Sequence, residues 1–120
     1  MRPFLIALTF TLVLGLDSFL PSWGDQSQSE MTEQAWADFD KADKELNQVY
    51  QKALKAADDD IARQKLVKAQ KAWLAFRDAE ADVDADLARG GTLAPQLEAM
   101  SETETTKART AQLKRFMADQ

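Results

Sequence analysis

The sequence predicts an all-α fold, a small antiparallel three-helix bundle with a short extra helical turn before the last helix. Three observations carry that expectation. Apolar residues recur at steps of three and four, and no segment alternates with period two as a half-buried strand would. Glycine and proline are sparse and fall between the periodic segments. The 120 residues include no cysteine and no histidine, so the core must be built by helix packing without disulfide staples.

The N-terminal stretch MRPFLIALTFTLVLGLDSFLPSWG stands apart from that pattern. Arg2 is followed by an apolar run from Phe4 to Leu16, then Pro21 and the small residues Ser22 and Gly24. This is the layout of a secretory signal peptide over residues 1–24, and the run is too short for a comfortable membrane span of about 20 residues. The expected location is therefore periplasmic or secreted, with no stable membrane insertion after cleavage and no lipoprotein cysteine. Removal through Gly24 leaves the net charge at -5, because Arg2 and Asp17 leave together.

Residues 25–30 read as a polar, disordered lead-in, and 31–118 as the folded domain. Ser27 and Glu30 have the spacing of a capping box. A first helix is expected from Met31 to Ala57. Its face is Ala35, Phe39, Ala42, Leu46, Val49, Tyr50, Ala53 and Leu54. The run Asp58, Asp59, Asp60 marks a turn, since aspartate is a good N-cap and a poor mid-helix residue. A second helix is expected from Ile61 to Arg89, with Leu66, Ala69, Trp73, Phe76, Val83 and Leu87 as its core stripe. Gly90 and Gly91 end it, glycine supplying the positive φ of a C-cap. Pro95 then opens a short helical turn. A second capping box, Ser101 with Glu104, begins a last helix running to Ala118, with Thr106, Arg109, Leu113, Phe116 and Met117 on one face.

Composition excludes several chemistries. Without Cys or His there is no thiolate nucleophile, no imidazole acid–base group and no Cys/His zinc site. A net charge of -5 does not suit nucleic acid, which needs clustered Lys and Arg, and favours a basic partner. Asp82, Asp84 and Asp86 have the first spacings of a calcium loop, but Leu87 and Leu93 stand where that loop needs glycine and a bidentate glutamate. Carboxylates on an open helix surface also lack the cleft that glycoside hydrolysis requires. Neither an enzyme nor a cofactor site is expected. The inward polar residues are another matter. Gln70, Trp73 and Arg77 share a face, as do Asp43 and Asn47, and Arg109 points inward. A half-buried arginine needs a carboxylate, and Asp43 or Glu80 is positioned to serve Arg77. We expect a polar clamp that fixes helix register. Trp36, one position off the first stripe, joins Asp58, Asp59, Asp60, Asp78, Asp82 and Asp86 as a candidate partner surface.

The segments ADKELNQVYQKAL, LVKAQKAWLAFRDAEA, GGTLAP and TKARTAQL together resemble the LprI-like lysozyme-inhibitor family. The pattern falls on Asp43, Leu46, Asn47 and Tyr50, then on Gln70, Trp73, Phe76, Arg77 and Asp78. It continues on Gly90, Gly91 and Thr92 and ends on Thr106, Arg109 and Leu113. The resemblance spans roughly Met31 to Leu113. It implies an exported, helical, non-enzymatic bacterial domain, and by association lysozyme or another basic protein as partner. A cell-envelope structural or stress-response module with no enzyme target is the alternative. Many members of the family carry cysteines at places that here hold Gln34 or Ala35, Ala81, and Ser101 or a neighbour. That marks a cysteine-free branch.

Overall fold

The computed structural model describes residues 27–120, and within them the chain forms three long helices and no strand. The expected signal peptide lies outside the described residues. Helix α1 spans Gln28–Ala56, α2 spans Asp60–Ala85, and α3 spans Ala94–Ala118. A single 3-10 turn, Asp86–Ala88, follows α2.

Helix α1 starts three residues before the expected Met31. Ser27 is the reason: its Oγ accepts from the Glu30 backbone N–H at 3.1 Å, so the predicted cap organises the lead-in into helix. The aspartate run is the turn. Asp59 Oδ1 accepts from the Ala62 N–H at 2.8 Å and caps α2, while Asp60 opens it and pairs with Arg63. Regular α-helix ends at Ala85 rather than Arg89, because the last turn tightens into 3-10 geometry. Gly90 then takes φ +79, a left-handed conformation that costs other L-residues.

The expected break between a Pro95 turn and a last helix at Ser101 is absent. Helix α3 is continuous from Ala94, with Pro95 in its first turn, where a missing N–H costs nothing. Ser101, Glu102 and Thr103 are buried mid-helix, so no capping box forms there. The Pro95 segment is therefore the start of α3, and the short helical turn that precedes the last helix is Asp86–Ala88. Leu97 is half-buried, and Met100 is exposed rather than covering the bundle end.

The topology is up-down-up. Helix α3 packs closely on both α1 and α2, whereas α1 and α2 approach one another mainly through side chains. The core gathers Leu46, Val49, Ala53, Leu66 and Leu113, with Tyr50, Leu54, Trp73, Phe116 and Met117 packed against it. Leu46 and Leu113 are essentially inaccessible, and each contributes about 1.5–3 kcal/mol of burial.

The stripe expected for α2 is rotated. Ala69 is exposed, and Phe76, Val83 and Leu87 are 54%, 61% and 83% exposed. The face turned to the bundle is instead Leu66, Gln70, Trp73, Arg77 and Ala81. A polar pair within that face offsets the apolar periodicity, so the most hydrophobic line on α2 is not its buried one.

Candidate functional site

Two arrangements qualify as candidate sites: an ionic clamp inside the bundle and a carboxylate-rich surface outside it.

Arg77 is the centre of the clamp, its side chain only 12% exposed. Its guanidinium NH1 donates to Asp43 Oδ1 on α1 at 3.1 Å and to Thr106 Oγ1 on α3 at 3.4 Å. Nε donates to Asp78 Oδ1 at 3.4 Å and lies 2.8 Å from Glu102 Oε2. The Nε–H is not aimed at Glu102, however, so that contact is a charge pair and Oε2 is left without a hydrogen bond. The planar cation also sits over two rings, 5.1 Å from the Phe39 centroid and 5.2 Å from that of Trp73. Trp36 meets Phe39 edge-on at 5.7 Å, which extends the ladder along α1. One arginine thus ties all three helices and fixes their register.

Asp43 was one of the two expected partners of Arg77. Glu80 is the other and makes no ion pair among the described residues. The partner that sequence reasoning missed is Glu102. Its place in an assumed capping box hid it, yet it lies four residues before Thr106 on the same inward face of a continuous α3. Burial is the main force on its carboxyl group, pushing its pKa up to about 7. Arg77 opposes that shift, while Asp78, by charge and hydrogen bond, and Glu98 add to it.

A second polar tie lies two turns from Arg77 along α2 and one turn past Thr106 along α3. Arg109 Nε donates to Gln70 Oε1 at 2.9 Å, and NH1 donates to Gln112 at 3.2 Å. Burial lowers the Arg109 pKa, with neighbouring Tyr50 opposing. Gln70, Trp73, Arg77, Asp43, Thr106 and Arg109 therefore meet inside the bundle, around Leu46, Tyr50 and Leu113. Asn47 and Phe76 are exposed members of the same pattern, and Gly90 and Gly91 form the turn that aims α3.

The candidate partner surface does not come together as one patch. Asp58, Asp59 and Asp60 lie at the α1–α2 turn, whereas Asp82 lies 22 residues further along α2, about 33 Å at helical rise. Several of these carboxylates are already engaged. Asp59 is a cap, Asp60 pairs with Arg63, Asp78 with Arg77, and Asp86 is held by Arg89 at 2.7 Å and 2.8 Å. That pairing lowers the Asp86 pKa. Asp58 and Asp82 make no ion pair among the described residues, and Trp36 is half-buried. No group of three or more carboxylates converges as a metal site among the described residues. An open groove between the N-terminal halves of α1 and α3, about 360 Å³, is lined by Met31, Asp38, Met100 and Lys107 among others.

These features define a class: an all-helical domain of net negative charge whose inward polar residues lock helix register. Comparison with known proteins gives the family. The sequence matches the family described as Lysozyme inhibitor LprI over residues 22–113, and the chain belongs to that family. It is also 35% identical over 103 residues to an uncharacterized protein of Rhizobium meliloti (strain 1021), covering 76% of this chain and 74% of that one. No solved structure matches it. No helix among the described residues is long and apolar enough to cross a membrane.

Proposed function

We propose that this chain is an exported, non-enzymatic protein-binding domain that inhibits lysozyme. The match to the LprI family across nearly the whole described region carries the reading. Charge supports it: a chain of net charge -5 is steered towards a basic enzyme, with the greatest effect at low salt. The clamp is the scaffold of this activity rather than its contact surface, since Arg77 and Glu102 are committed inside the bundle. Of the candidate partner-surface carboxylates, Asp58 and Asp82 are exposed and without ion pairs among the described residues, and so remain available to a basic partner. The test is lysis of a cell-wall suspension by several lysozymes, with and without the purified protein. Inhibition that weakens as salt rises is expected. Full lysis at micromolar excess across lysozyme types at low salt would sink the proposal.

A further inference from the structure

Helix α2 carries a second periodic face that the bundle does not use. Ala69, Ala72, Phe76, Ala79 and Val83 follow steps of three, four, three and four, the spacing of a coiled-coil seam. All five are exposed. Three alanines in that seam let a second helix approach closely, and Phe76 is the large group that such an approach would cover. One flank of the seam is Lys68, Ala75 and Asp82, each seven residues from the next. Neither Lys68 nor Asp82 makes an ion pair within the chain among the described residues. The same polarity holds along the helix outside the paired Asp60 and Arg77: Arg63, Lys65, Lys68 and Lys71 occupy its first half, and Asp78, Glu80, Asp82 and Asp84 its second.

We propose that this face pairs with the same face of a second copy, antiparallel, about a twofold axis beside Ala75. Charge complementarity selects that occupant and that direction. An antiparallel pair sets Lys68 of each copy against Asp82 of the other, whereas a parallel pair sets Lys68 against Lys68 and Asp82 against Asp82. The twofold also brings Phe76 against Ala72 of the second copy and Val83 beside its Lys65, whose aliphatic stem can lie along the seam. The contact is isologous and closes as a dimer without leaving a free seam. It takes up Asp82 and leaves the Asp58 end of each bundle open to a basic partner, and it does not rest on lysozyme inhibition.

Sedimentation equilibrium of the purified protein at low salt tests the pairing. A dimer is expected, and Phe76→Glu should sediment as a monomer with its helical circular dichroism unchanged. Lys68→Glu should weaken association by roughly tenfold or more, and adding Asp82→Lys should restore it. A wild-type monomer at high micromolar concentration would overturn the proposal. So would a dimer that survives Phe76→Glu, or a charge exchange that restores nothing.

Discussion

Glu102→Gln should turn the bundle's pH dependence into a direct measure of the clamp. In the folded chain the Glu102 carboxyl is buried, and its pKa is raised from 4.5 to about 7. Between those values the native state holds a proton that the unfolded state has released. Stability therefore falls as pH rises through that window, and the ionised group's penalty is fully present above it. Each tenfold change in proton affinity is worth roughly 1.4 kcal/mol, so the penalty is on the order of 3 kcal/mol. That is a large share of the ~5–15 kcal/mol typical of a domain. Glutamine keeps the shape and carries no charge to desolvate. Urea unfolding of both proteins from about pH 4.5 to 8.5 reads the difference directly, and subtracting the curves removes the other carboxylates. The variant should match wild type at the acid end, gain as pH rises to about 7 and hold a constant advantage above it. A difference that is flat with pH, or a variant less stable than wild type at the alkaline end, would refute the desolvation argument and leave the Arg77 charge pair dominant.

Three further substitutions probe other parts of the bundle. Trp73→Ala removes an indole that packs on the core and stacks on Arg77, and should cost about 3 kcal/mol, leaving the domain barely folded; a melting temperature unchanged from wild type would take Trp73 out of the core. Ser101→Ala removes a buried hydroxyl without a partner and should raise stability by about 1 kcal/mol in denaturant titration, where a loss of stability would reveal a hydrogen bond at that site. Gly90→Ala forces a Cβ into φ +79 and should destabilise by about 1 kcal/mol, although nothing crowds the position; no change in the unfolding midpoint would mean the turn can relax.

Local chemistry made much of this fold legible. Ser27 and Asp59 announce helix starts because a short oxygen-bearing side chain reaches the free N–H groups of a first turn, and both do so here. Gly90 ends a helix for an equally local reason. The failures share a different cause. Pro95 and the Ser101 to Glu104 spacing are compatible with two helices or one, and the choice is made by what packs against Glu102 and Thr103, not by the residues themselves. The α2 stripe failed in the same way. Trp73 sits between two candidate faces, one apolar through Phe76 and Val83, the other mixed through Gln70, Arg77 and Ala81. Periodicity favours the first. The bundle takes the second because Arg77 finds Asp43, Glu102 and the Phe39 ring there, partners contributed by α1 and α3 that no reading of α2 alone supplies. Burying a polar face leaves the apolar seam of α2 in water. A helix that spends its charged partners inward and exposes a heptad of small and aromatic residues outward has a surface whose natural complement is another such helix, which is why the clamp and the proposed pairing are two consequences of one rotation of α2.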